Sequence, residues 1–125
     1  MIVTYIDWLD KNNKEAAVTV SDLNYNIICF SDNLKYKIGD EIRENLIALD
    51  INDVKKISNN NHCKVKMNNT FDCQIIGKLF KDKSAIKIGK ICIDISGCYI
   101  PNDLKDNDII EARLSRVDLY WFDIL

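Results

Sequence analysis

The chain is poor in the residues that build the commonest functional sites. Among 125 residues it has one proline, one histidine, three arginines and four glycines. Four glycines cannot furnish a glycine-rich phosphate loop alongside the turns a chain of this length needs. The histidine, His62, stands beside Cys63. Neighbours on a strand point to opposite faces, so the two cannot easily share a proton as base and nucleophile. The five cysteines (Cys29, Cys63, Cys73, Cys92 and Cys98) include no C-x-x-C pair. A zinc site built on close thiolate pairs is therefore not expected. A cross-hairpin set of His62, Cys63 and Cys73 is the one metal arrangement left, and otherwise the cysteines read as small core residues. No apolar stretch approaches the roughly 18 residues of a membrane span. The N-terminus has no basic region, and its apolar run stops at Asp7, so no signal peptide is expected. The expected location is the cytoplasm, where an odd number of cysteines stays reduced. No catalytic signature stands out, and the expectation is a protein that is not an enzyme and uses no cofactor or metal.

What the chain does have is alternating hydrophobicity and segregated charge. Apolar residues make up 47% and charged residues 29%. These proportions suit an ordinary globular protein, and no linker or low-complexity tract interrupts them, so one domain over 1–125 is expected. Isoleucine (20) far outnumbers valine (6), and lysine (14) far outnumbers arginine, alongside 14 asparagines. This skew fits an AT-rich coding sequence and lowers the weight of any single lysine or asparagine. The thirds of the chain differ in sign. Residues 1–54 carry 5 basic and 10 acidic side chains, 55–90 carry 9 and 2, and 91–125 carry 3 and 7, for net charges of −5, +7 and −4. Either the middle lies against the two ends and the charges pair, or the surface has a basic and an acidic face.

A short motif organises the rest. Lys37, Gly39, Asp40 and Ile42 are answered by Lys105, Asn107, Asp108 and Ile110, giving K-x-[GN]-D-x-I twice. In each copy a residue tolerant of a left-handed backbone precedes an aspartate and then an apolar residue, the signature of a tight turn feeding a strand. Around these turns run about nine short strands. Ile2–Leu9, Ala16–Val20, Tyr25–Phe30, Phe71–Phe80, Ala85–Ile88, Ile109–Leu114 and Val117–Phe122 are among them, and a hairpin turn is expected at Asn68–Asn69. Residues 42–57 read as a strand followed by one helical turn capped at Asn52–Asp53. The loop Asn59–Asn61 is the expected site of highest mobility. Pro101 opens the loop carrying the second motif. The expected architecture is all-β: a small closed or nearly closed β-barrel, with oligonucleotide-binding-fold (OB-like) character or two related halves, and at most one short helix. A β-sandwich is the alternative.

Two functional readings follow. In the first, the chain is a non-catalytic protein-binding module that engages a basic protein, as immunity or antitoxin-like proteins engage a cationic nuclease. Asp103, Asp106 and Asp108 supply the acidic surface, and Tyr99, Tyr120 and Trp121 the aromatic anchors. Calcium binding by those aspartates fails on spacing, because Lys105 takes a ligand position, and turn chemistry accounts for them. The aromatics could instead close the barrel against Tyr5 and Trp8. The second reading is a single-stranded nucleic-acid binder that uses Lys78, Lys81, Lys83, Lys87 and Lys90 around Phe80. Scarce arginine, the acidic ends and an isoelectric point near 5.3 weigh against it. No membrane partner is expected.

Overall fold

A computed structural model describes residues 1–58 and 62–120. The mobile loop expected at Asn59–Asn61, the anchor Trp121 and the end of the last strand lie outside the described residues. The chain is all-β, and its described residues form eleven strands in one sheet. They are β1 (Ile2–Asp10), β2 (Glu15–Ser21), β3 (Asn26–Ser31), β4 (Leu46–Ala48), β5 (Asn52–Lys56), β6 (Lys64–Met67), β7 (Cys73–Phe80), β8 (Ala85–Ile88), β9 (Ile91–Asp94), β10 (Ile109–Leu114) and β11 (Val117–Asp118).

The ladder runs β1-β2-β3-β11-β4-β9-β8-β7-β10-β5, with β6 beside β7. It begins at β1 and ends at β5, so the described sheet is not closed by hydrogen bonds into a barrel. Most neighbours are antiparallel, but β11 runs parallel to β3, and β4 runs parallel to β9. The short C-terminal strand β11 thus inserts between the N-terminal meander β1-β2-β3 and the rest of the sheet.

Alternation places the core. In β7, Cys73, Ile75, Gly77 and Leu79 are buried while Gln74 and Lys78 are exposed. Val18 and Val20 of β2, Ile27 and Cys29 of β3, Ile86 and Ile88 of β8, and Ile91 and Ile93 of β9 join them on the inner face at 0% exposure. Period-two burial of β-branched side chains is what makes these segments strands. On β3, Ile28 and Phe30 are only half-buried, so its outer side is less covered than a strand buried on both faces. Burial pushes the Cys29 thiol far above its ordinary range and the Cys73 thiol up to about 12, as expected for cysteines packed as small apolar side chains.

Both copies of the turn motif form the same structure. The Asp40 N–H donates to the Lys37 carbonyl at 3.0 Å, and the Asp108 N–H donates to the Lys105 carbonyl at 3.1 Å. Each aspartate side chain accepts the N–H three residues back at 2.8 Å, from Lys37 and from Lys105. Gly39 and Asn107 hold the left-handed conformation, with φ of 96° and 70°. Each turn also docks on a strand in the same way. Gly39 donates to the Val3 carbonyl and Val3 to the Asp40 carbonyl, while Asn107 donates to the Leu79 carbonyl and Leu79 to the Asp108 carbonyl. The outcomes differ. The second turn leads into β10, which pairs along β7. The first leads only to an isolated bridge, Glu41 with Ile2, because β1 has almost no residues left on that side.

Three local expectations change. Asn52–Lys56 is a strand, not a helical turn. Its pairing with β10 (Lys56 with Ile110, Lys55 with Glu111) overrides the local capping preference, and Asp53 takes φ of 53° where the register slips. Among the described residues the one short helical element is a 3-10 turn at Lys81–Lys83. The hairpin β6–β7 is joined by five residues, Asn68–Asp72, because Met67 pairs with Cys73 and the Asn69 side chain caps the loop by accepting from Phe71 and Asp72.

Two turns are tied together by one carboxylate. Asp22 accepts N–H bonds from Asn24 and Tyr25 in the β2–β3 turn and, at 2.7 Å, from Lys90 in the β8–β9 turn. Burial raises the Asp22 carboxyl, but these N–H donors, led by Lys90, outweigh it and hold it below the ordinary carboxylate range. Asp50 behaves alike. Burial pushes it up, and the Ser115 hydroxyl and N–H, with Asn52 and Arg113, bring it down. A depressed folded-state carboxyl contributes stability above the unfolded pKa, near ~3.9, and loses it as pH falls through the lower folded value. Urea unfolding should therefore be flat in pH above about 5 and weaken progressively below about 4. Asp22→Asn should lower stability at neutral pH and flatten that acid slope; an unchanged slope would show that Asp22 is not one of the groups responsible.

Candidate functional site

The acidic cluster expected at 103–108 does not form a free face. Asp108 is buried; it caps Lys105 and pairs with Lys56 at 3.3 Å. The Lys105 N–H bond leads in holding its carboxyl below the ordinary range. Asp106 accepts the Lys81 N–H at 2.9 Å. Asp103 is exposed. Turn chemistry thus takes two of the three aspartates. Among the anchors, Tyr99 is 79% exposed, whereas the Tyr120 hydroxyl donates to Asp118 at 3.2 Å.

The basic residues divide as well. Lys81 folds its ammonium onto the carbonyls of Leu104 (2.7 Å) and Asn102 (3.2 Å), locking the 3-10 turn to the loop that carries the second motif. Lys90 sits at the far end of the β8–β9 hairpin beside Asp22. Lys78, Phe80 and Lys87 do converge. Lys78 and Lys87 are cross-strand partners, and their ammonium groups stand 5.9 and 5.3 Å from the centre of the Phe80 ring. The ring quadrupole eases the repulsion between like charges placed directly opposite one another. Farther along β7, Lys64 and Lys66 pair with Ile76 and Gln74, so the same outer face carries four exposed lysines. A cleft of about 70 Å³ lies there between Lys64, Lys66 and Glu111. Lys83 lies near Cys92, whose thiol burial raises while Lys87 and Lys83 pull it down. The +7 middle is only partly neutralised: Lys55 pairs with Glu111 at 3.2 Å and Lys56 with Asp108, both reaching into the last third, while Asp72, one of the middle's two acids, is drawn to Arg113 at 3.7 Å.

The cross-hairpin metal set is not assembled. Cys73 is opposite Met67, four residues along the strand from Cys63, a separation of about 13 Å. Among the described residues, no group of three or more His, Cys, Asp or Glu is placed to hold a metal. None of their helices is long and apolar enough to cross a membrane.

No family model, curated protein or solved structure matches the chain. The site must therefore be read from its own geometry.

The most unusual surface lies on β1, whose Tyr5 and Trp8 are the alternative packing partners for the C-terminal aromatics. Tyr5 is 59% exposed, Leu9 50% and Trp8 38%, so β1 does not bury these side chains in the core. Val3 is the one fully buried residue of the strand. Register puts Ile6 opposite Val18 and Trp8 opposite Ala16, on the core-side face, while Tyr5 and Asp7 share the outer face with Thr19 and Ala17. β1 ends the ladder, so its inward-turned side chains overhang the core and stay partly wet. At its start an open cleft of about 450 Å³ is lined by Ile2, Leu23, Asp22, Glu41 and Lys90. Leu23 is 85% exposed there. Nothing in the aromatic pattern alone separates an overhanging strand from a core strand; the available signal was that Ile2–Asp10 contains no lysine, arginine or proline.

Proposed function

We propose that this chain is a small, non-catalytic, cytoplasmic protein-binding module that takes a basic protein partner on an acidic and aromatic surface. The observation carrying this is the exposure of Tyr5, Trp8 and Leu9 on a terminal strand that has two acids, Asp7 and Asp10, and no base. Large apolar side chains left exposed on both faces of one terminal strand, beside acids and no base, support a recognition strand, since scattered apolar exposure would not concentrate on one element. The reading keeps the expected partner and moves its surface from residues 103–108 to the N-terminal end of the sheet. An immunity-like role against a cationic protein suits the size of the chain and its acidic first third. Five unpaired thiols support a reducing compartment. A nearly closed barrel fits the same picture, because β3 and β6 approach each other without pairing and Phe30 meets Phe71 edge-on at 5.8 Å.

One observation favours nucleic acid as a second reading: Lys64, Lys66, Lys78 and Lys87 share one face with Phe80. Lys81 is unsuitable for testing it, because its ammonium is structural. Lys64→Glu with Lys87→Glu should abolish a salt-sensitive shift of a single-stranded oligonucleotide, and absence of any shift at low salt removes this reading.

The two readings separate in one experiment. A photoreactive side chain placed at position 5 or position 78 of the full chain is activated in its native cells. Position 5 should yield an adduct with a basic protein whose recombinant form binds the wild-type chain and not Tyr5→Ala/Trp8→Ala. Nucleic-acid adducts from position 78, with none from position 5, would contradict the proposal.

A further inference from the structure

We infer that the free edge of β1, from Thr4 to Asp10, accepts an extended, lysine- or arginine-bearing segment of the partner as an added β-strand. This deepens the reading above and rests on it. The first observation is the unequal reach of the two docked turns. The second turn seats on Leu79, next to the end of β7 at Phe80, and β10 covers the remainder of that strand. The first turn seats on Val3, far short of the end of β1 at Asp10. Beyond Val3, no described strand pairs with the outer side of β1. About 20 Å of backbone edge is therefore left with unmatched N–H and C=O groups.

The second observation is how the two ends of the sheet differ. The other terminal strand, β5, is short and carries Lys55 and Lys56, and its backbone twists at Asp53 with φ of 53°. Those are the devices by which sheet edges avoid unwanted pairing. β1 is nine residues long with no lysine, arginine or proline, and its register slips lie near its ends, at Val3/Tyr5 and Trp8/Asp10. The stretch between them, Tyr5–Trp8, is regular, and its one charge is the acid Asp7.

Charge selects the occupant. A second copy of β1 would bring Asp7 and Asp10 of both strands together with no base on either. Residues 1–54 already carry twice as many acids as bases, 10 against 5. A cationic segment removes that repulsion, and its alternate apolar side chains would lie over Ile6 and Trp8 while its basic ones meet Asp7.

The test uses the full chain and a nine-residue peptide of alternating lysine and valine, with a twin N-methylated at alternate amides. The peptide should bind, add protection to amides of Thr4–Asp10, and shift Trp8 fluorescence in a Trp121→Phe background. N-methylation should weaken it about tenfold, the equivalent of one or two lost main-chain hydrogen bonds. Asp7→Lys should weaken it by a similar factor with an unchanged melting temperature; Asp10 is avoided because its carboxylate caps the Lys11–Lys14 turn through Asn12 and Asn13. Equal binding of the N-methylated twin, protection at β5 instead of β1, or a dimer of the free chain joined through β1 would each overturn strand addition. So would failure of the peptide to bind. A position-5 adduct with a basic protein that persists alongside any of these results would leave the protein-binding module standing without this mode.

Discussion

Arg116→Ala should be among the most destabilising single changes in the molecule, costing about 2–3 kcal/mol and lowering the melting midpoint by on the order of 10 °C. Arg116 donates from Nε to Asp118 at 2.7 Å and from a terminal nitrogen to its second oxygen at 3.0 Å. The guanidinium also stacks 4.5 Å from the Phe30 ring centre. Bonding to Asp118 leads in raising the Arg116 pKa above its already high value. Asp118 itself is 4% exposed, so removing its partner strands a buried carboxylate with only the Tyr120 hydroxyl. The magnitude is set below the ~3–5 kcal/mol of fully buried pairs because the Arg116 side chain is 34% exposed. Position matters as much as chemistry. β11 is the strand between β3 and β4, and it is held by Leu119 donating to Phe30 and Leu49 donating to Arg116. Loosening it separates the N-terminal meander from the rest of the sheet. A thermal melt checks the single change; Arg116→Met with Asp118→Leu should recover part of the loss, since the pair is then replaced and not broken.

Gly77→Ala is the second large effect, about 2–3 kcal/mol, and it needs no charge. Gly77 stands where β6 gives way to β8 along one side of β7, between Ile76, which pairs with Lys64, and Lys78, which pairs with Lys87. A methyl group there would sit 2.7 Å from Ile86 Cγ2, 2.8 Å from the Lys87 carbonyl oxygen and 3.0 Å from Ile88 Cγ1. Two of these contacts are with fully buried side chains and the third is backbone, so none can give way cheaply. Gly97→Ala is the control, with nothing within 4 Å of the new methyl group, and should change stability by less than ~0.5 kcal/mol. Equal losses for the two variants would show that the close approach at Gly77 does not govern the packing.

The sequence was most legible where local and tertiary preferences agree. The K-x-[GN]-D-x-I echo forms the same turn twice, down to the aspartate capping the N–H three residues back, because that geometry is written in four adjacent side chains. Alternation in β7 and β9 likewise reads straight into burial. It was least legible where the outcome depends on what lies beside a strand. Asn52–Lys56 carries helix-start residues, yet the edge of β10 claims it as a strand. Asp106 and Asp108 look like a charged patch, yet the Lys81 and Lys105 amides consume them. Lys81 looked like a phosphate contact, but carbonyls of a loop more than twenty positions away hold it. Tyr5 and Trp8 looked like core because their composition is that of core. Only the ladder order shows that β1 is terminal, and that the first turn reaches no farther than Val3.

Amide hydrogen exchange on the free chain tests the exposed edge most directly. Amides on the outer side of Thr4–Asp10 should exchange orders of magnitude faster than those of β7, β8 and β9, while the amides that β1 directs toward β2 stay protected. Uniform strong protection across Thr4–Asp10 in the free monomer would mean that the edge is already covered, and the partner surface proposed for it would not exist.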